Sequence, residues 1–184
     1  MKAPLILASA SERRRKILAD LNVSFDVVIP NVAEVFYEND PQRTAAENSE
    51  RKNERCRSKY SEFHIIAADT IVDFEGRSIA KPSSMVEAFA CLELFSGKRQ
   101  DVVTAVTVYS PDTGARTEIV RSSVTFKRLS ASVIRDYFAQ VDPLDKAGAY
   151  DIDQLGDSII ESFCGSRSNI MGLPSETIKK WLEE

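Results

Sequence analysis

The chain has 184 residues, of which 43% are apolar and 28% charged, with a formal net charge of −4. That length holds one sizeable core, so a single bilobed domain over 1–184 is expected, and the acidic balance argues against a general nucleic-acid binder, which needs a broad basic face. Cys56, Cys91 and Cys164 are far apart with no CxxC pair, which suggests neither a disulfide framework nor a structural zinc site and fits a reducing, cytoplasmic setting.

The apolar run before Arg13 is too short for a signal peptide, and no later run approaches the ~18 apolar residues of a membrane span. Leu5 to Ala8 reads as a buried strand, followed by the small residues Ser9, Ala10 and Ser11. A helix then starts from Ser11 as N-cap, with Ile17, Leu18 and Leu21 as its apolar stripe. Arg13, Arg14 and Arg15 fall in its first turn, where the positive end of the helix dipole disfavours each cation by roughly 0.3–1 kcal/mol. Two readings account for them: a solvated helix face, or a phosphate cradle in which helix-start N–H groups, guanidinium groups and serine hydroxyls meet one anion.

Ser24 to Ile29 reads as a second strand ended by Pro30, and Glu34 follows in a loop. Asp40-Pro41 supplies an N-cap and a first-turn proline for a polar helix running to about Tyr60. Its inward stripe is Ala45, Ser49, Lys52, Cys56 and Tyr60, so Lys52 points the same way as the small residues. A lysine there either snorkels to water or meets an anion.

Ile65 to Val72 is the strongest strand signal. Asp69 shares a face with Ile65, Ala67 and Ile71, while Ile66, Ala68 and Val72 occupy the other, so both faces are apolar as in a covered central strand. A carboxylate in that position needs a cation, a metal or hydrogen-bond donors. It either caps a neighbouring loop or serves as a metal ligand or as a base that activates water. His64, the single histidine, reads as a surface residue, which sets aside a Ser-His-Asp triad and a His-rich zinc site. Hydrolysis would then fall to carboxylates, lysines, arginines and a hard divalent metal. Neither GxxxxGK[ST] nor GxGxxG is present.

Asp73 to Gly76 makes a turn, and Ser78 to Ala80 a short return that ends at Lys81-Pro82. Ser84 and Glu87 form a capping box for the helix Met85 to Phe95, which is apolar almost all round and so expected between two layers. Val102 to Tyr109 and Glu118 to Phe126 read as a long hairpin with Thr104 and Thr107 on opposite faces. A helix from Ser130 to about Gln140 buries Val133, Ile134, Tyr137 and Phe138. In DPLDKAGAYDIDQLG (142–156), Asp145, Lys146, Gly148 and Tyr150 suit a tight ligand-facing loop, and a charged turn accounts for them equally. Ser158 to Cys164 is the last strand, 166–173 a loop, and Pro174-Ser175 opens a C-terminal helix packing Ile178, Trp181 and Leu182. Strands interleaved with helices give an α/β class with a mixed sheet.

LASASERR (7–14), Glu34, RK (51–52), AADT (67–70), KP (81–82), SG (96–97), DKAGAY (145–150) and NIMGLP (169–174) stand in an order and spacing that resemble the Maf family of nucleoside triphosphate pyrophosphatases nearly end to end. The resemblance implies an elongated mixed β-sheet flanked by helices, with two lobes and a central cleft, related to the inosine triphosphate pyrophosphatases. It implies hydrolysis of the α–β phosphoanhydride of dTTP, UTP or related, including modified, nucleotides to a monophosphate and pyrophosphate, with Mg²⁺ or Mn²⁺, and a homodimer. A regulator of cell division that binds nucleotide with little turnover is the alternative it carries. By position, Ser9, Arg13 and Arg14 match the phosphate-binding opening, Lys52 and Lys81 the lysines that neutralise the triphosphate, Asp69 the catalytic acid position, and Glu34 a carboxylate that joins Asp69 at the metal. Thr70, Lys146 and Asp153 are further candidate substrate contacts. Two departures stand out: Tyr150-Asp151-Ile152-Asp153 replaces a Tyr-Gly-Ile-Gln run, and Gln100 replaces a frequent His. An acid at 153 would repel phosphate or alter base and metal contacts.

Overall fold

The computed structural model describes residues 4–184. The elements run β1 (Leu5–Ala8), α1 (Glu12–Ala19), β2 (Asp26–Val28), α2 (Pro41–Arg57), β3 (His64–Phe74), β4 (Arg77–Ile79), α3 (Met85–Phe95), β5 (Arg99–Ser110) and β6 (Gly114–Phe126). They continue with α4 (Ala131–Phe138), a 3-10 turn (Ala147–Ala149), the single-turn α5 (Gly156–Ile159), β7 (Ile160–Cys164), the single-turn α6 (Arg167–Ile170) and α7 (Ser175–Glu183). Among the described residues no helix is long and apolar enough to cross a membrane.

One mixed sheet has the order β2-β1-β3-β5-β6-β7, with β4 beside the far end of β3. β1 is parallel to β2 and β3, and the remaining pairs are antiparallel. β3 is central because both of its faces are apolar. Ile65 and Ala67 pack with Ile6, Ala8 and Cys56 of α2, whereas Ile66 and Ala68 pack with Leu7, Leu18 of α1 and Ile178 of α7. Farther along, Val72 and Phe74 enter a separate cluster with Leu92, Phe95, Phe126, Tyr137 and Tyr150.

The pairing of β3 on its β1 side is interrupted. β1 pairs with it as far as Ala67, and β4 takes over only at Val72. Residues 68–71 therefore have no strand partner on that side. A strand edge buried without pairing must find other donors and acceptors.

The elements match the sequence periodicities, with boundary shifts typical of frayed ends. α2 ends at Arg57 rather than Tyr60, and the hairpin strands lengthen to Arg99–Ser110 and Gly114–Phe126. Ser158 and Ile159, read as strand, belong to α5, and the 166–173 stretch, read as a loop, carries α6. Two further expectations are corrected. α3 is not sandwiched: only Ala88, Leu92 and Phe95 are buried, and Val86 is 80% exposed, because the cluster it covers lies on one side of it. His64 is half-buried rather than fully at the surface: its Nδ1 is buried and its ring stands edge-on to Trp181 at 5.6 Å, since α7 folds back over the start of β3.

Phe95 is fully buried between the rings of Phe74 (5.4 Å between centroids) and Phe126 (5.3 Å). Phe95→Ala is expected to lower unfolding free energy by about 3–5 kcal/mol, the range for truncating a core phenylalanine, measured by urea denaturation.

Candidate active site

The interruption beside β3 opens into a cavity of about 590 Å³. Its wall includes Ser9 after β1, Arg13 and Arg14 of α1, Glu34, Lys52 of α2, Asp69 and Thr70 of β3, and Lys81 after β4. Each is placed by a different constraint.

Asp69 projects from β3 toward α2 and is 6% exposed. Lys52 Nζ lies 2.6 Å from Asp69 Oδ1 and 2.6 Å from Glu34 Oε1, so the inward lysine meets two carboxylates. Asn48, one helical turn before Lys52, donates from Nδ2 to Asp69 Oδ2 at 3.3 Å. The same amide receives Val35 N–H at 2.8 Å and donates to Val35 O at 3.0 Å, which fixes the loop carrying Glu34 against α2. Burial pushes the Glu34 carboxyl up, but the bond and charge of Lys52, aided by Lys81 and Arg14, prevail and hold it below the usual range. Burial pulls the Lys81 ammonium below the ordinary lysine value, with Arg14 and Lys52 adding to the shift against Glu34 and Asp69.

Ser9 Oγ accepts from Ser11 N at 3.1 Å, and Ser11 caps α1 by accepting from Arg14 N. Arg14 takes the place of the missing strand. Its Nη1 donates to Ala68 O at 2.8 Å, Nε to Gly172 O at 2.8 Å, and Nη2 to Thr70 Oγ1 at 3.0 Å. Three of its five N–H groups are thus committed to the protein, which makes it a brace for β3 as well as part of the wall. Gly172 permits the approach: it sits at φ +105°, and a Cβ there would lie 3.3 Å from Thr70 Oγ1. Thr70 also bonds Thr104 Oγ1 at 3.0 Å across the sheet.

Two predicted residues are not brought to the cavity. Lys146 is buried, and its Nζ bonds Asp142 O and Asp145 Oδ1 within its own loop. Asp153 points to Arg167, with Nε 2.9 Å from Oδ1. The acid that reaches the α1 side is Asp151, whose Oδ2 lies 3.3 Å from Arg13 Nη1. Gln100 donates to the Tyr150 hydroxyl at 2.6 Å. Sequence reasoning missed Asn48 and Asp151. The first is four residues before Lys52 on one helical face, and the second is an acid between Tyr150 and Ile152, a placement that itself signals burial.

The family described as Maf-like protein matches residues 4–184. The chain belongs to the Maf family. It is 39% identical over 178 residues to a dTTP/UTP pyrophosphatase of Deinococcus radiodurans, covering 97% of this chain and 91% of that one. It is 36% identical over 183 residues to a dTTP/UTP pyrophosphatase of Akkermansia muciniphila, covering 99% and 96%. Its fold is similar to that of the Staphylococcus aureus Ham1 protein, with a TM-score of 0.52, 15% identity and 98% of both chains covered.

In this Maf protein no group of three or more His, Cys, Asp or Glu side chains able to hold a metal occurs among the described residues. Of the carboxylates lining the cavity, Glu12, Glu34, Asp69 and Asp145, the two drawn together are Glu34 and Asp69, each giving one oxygen to Lys52. Such a pair does not make a cage. It does fit Mg²⁺ or Mn²⁺, hard cations held by one or two carboxylates that take their other ligands from water and substrate phosphate.

The Lys52 pair is buried, whereas Arg51–Glu47 on the same helix has an equal 2.6 Å separation but an exposed setting. Removing one partner of a buried pair strands the other charge, at about 3–5 kcal/mol, whereas an exposed pair contributes about 0–1 kcal/mol. Lys52→Met is therefore expected to destabilise the fold several-fold more than Arg51→Met, read from paired thermal and urea melts.

Proposed function

We propose that the chain is a nucleoside triphosphate pyrophosphatase that hydrolyses the α–β phosphoanhydride of dTTP, UTP or a related pyrimidine nucleotide, giving a nucleoside monophosphate and pyrophosphate. The observation that carries this reading is the buried Asp69 carboxylate, held by Lys52 and Asn48, facing a cavity whose wall also holds Arg13, Arg14 and Lys81. The names of the 36–39% identical relatives support the substrate class.

In this mechanism the cationic wall receives the polyphosphate tail and holds it in line. Asp69 orients a water molecule and takes its proton. The water oxygen bonds to the α phosphorus as the bond from that phosphorus to the α–β bridging oxygen breaks, and pyrophosphate departs with the bridging oxygen. Lys52 holds Asp69 aimed at the cavity, Lys81 offsets charge developing on the leaving group, and Arg13 binds the polyphosphate tail. Glu34 and Asp69 would hold a divalent cation, which when bound supplies Lewis-acid polarisation of the phosphates.

A panel of dTTP, UTP, CTP, purine and modified triphosphates with Mg²⁺ or Mn²⁺ tests the reading through pyrophosphate release. Pyrimidine turnover supports it; tight binding with no release from any of them would instead favour a nucleotide-binding regulator. Asp69→Asn, a near-isosteric change, is expected to lower kcat by at least about a hundredfold with the circular dichroism spectrum unchanged, in keeping with the loss of a positioned general base.

The lowered pKa of Lys81 sets a sign for the pH profile. Its cationic form is required and is lost as pH rises through that lowered value, so kcat/KM falls on the alkaline side earlier than an ordinary lysine would dictate. Lys81→Arg should move the falling limb to higher pH; an unmoved limb assigns it to another group.

A further inference from the structure

We propose that Asp151 is a positioning residue for Arg13, holding its guanidinium at the cavity wall in the orientation that receives the polyphosphate. The inference rests on the function proposed above and deepens it. Asp151 is not itself in the wall. Its side chain is 3% exposed, whereas that of Arg13 is 28% exposed and does face the cavity.

Asp151 is fixed from every side. Asp153 N–H donates to Oδ1 at 2.9 Å, and Gln154 Nε2 donates to Oδ2 at 3.0 Å. Its main chain is held by one hydroxyl: Asp151 N–H donates to Tyr137 Oη at 2.9 Å, and the same hydroxyl donates to Asp151 O at 3.3 Å. Tyr137 is itself buried and packed in the cluster beneath α3 and α4. The carboxylate is therefore a rigid acceptor set in the core, and Arg13 Nη1 reaches it at 3.3 Å.

Among the described residues Arg13 is the cation paired with this buried charge. A buried carboxylate needs such a partner, and a long arginine needs an anchor if it is to hold one orientation in an empty cavity. The contact uses one N–H of Arg13, so the rest of the planar fork stays available for phosphate oxygens. Asp151 also offsets the mutual repulsion of Arg13 and Arg14, adjacent cations on the first turn of α1. The loop 142–156 thus lines the site with Asp145, Ala147 and Tyr150 and steadies Arg13 from behind through Asp151, whereas Lys146 and Asp153 stay outside the wall.

The test measures binding of inorganic tripolyphosphate by calorimetry, and KM and kcat on a nucleotide that the wild-type protein hydrolyses. Asp151→Asn is expected to weaken tripolyphosphate binding and raise KM by about tenfold while kcat changes less than about twofold, the pattern of lost uniform binding. Asp151→Asn combined with Arg13→Ala should bind no more weakly than Arg13→Ala alone. A melting temperature lowered with affinity unchanged, or further weakening on the Arg13→Ala background, would overturn the positioning role. Should Asp151→Asn not fold, Tyr137→Phe, which keeps the ring and removes the hydroxyl that pins Asp151, is expected to weaken binding in the same direction, and unaltered binding would overturn the role equally. Wild-type protein that binds tripolyphosphate but releases no pyrophosphate from any nucleotide would defeat the proposed reaction and leave this comparison readable.

Discussion

A carboxylate buried in the middle of a sheet is the constraint on which the rest depends. Asp69 stands in a strand whose neighbours on its own face, Ala67 and Ile71, are fully or almost fully buried. An unpaired charge there would cost far more than the whole fold can spare. Lys52 answers it at 2.6 Å, and because Lys52 is itself buried, α2 must lie where it does. The two side chains therefore hold helix to strand and create a charged centre in one step. Asn48 and Glu34 extend that centre to the loop before α2.

The same place shows why the sheet is broken where it is. Had β1 continued past Ala8 alongside β3, the edge at Ala68 to Ile71 would be paired and the cavity closed. The chain turns instead at Ser9 and enters α1, and Arg14 from its first turn supplies the donor that a strand would have given to Ala68 O. By donating also to Gly172 O, it draws in the segment before α7. The arginine that the helix dipole disfavours is thus offset by two carbonyls and the nearby negative charge of Asp69.

Much of this was legible in the sequence, and the limits have physical reasons. The covered strand, the odd inward lysine and the odd strand acid were each visible as a violation of their element's periodicity. Their meeting was not visible, because it depends on α2 crossing β3, a contact between residues 17 positions apart. The α3 expectation failed because apolar composition shows what a helix is able to bury, not how many layers the chain supplies. The Maf resemblance and the charged, glycine-bearing composition of their loop pointed Lys146 and Asp153 toward the cavity. Loop side chains carry no periodicity from which a direction follows, and these two are turned away by Asp142, Asp145 and Arg167. Asp151 differs in being buried, and a buried acid declares a partner.

Charge balance ties the centre to the chemistry proposed for it. Arg13, Arg14, Lys52 and Lys81 bring four cations to the cavity, and three of them are engaged by the protein: Asp151 faces Arg13, Glu34 and Asp69 share Lys52, and Arg14 is spread over main-chain carbonyls. Three carboxylates, Asp151, Glu34 and Asp69, therefore stand against these four cations and leave the wall close to neutral. A fully ionised triphosphate entering it would carry more negative charge than these partly satisfied cations offset. A divalent cation arriving with the phosphates and held by the carboxylates of Glu34 and Asp69 would supply the difference.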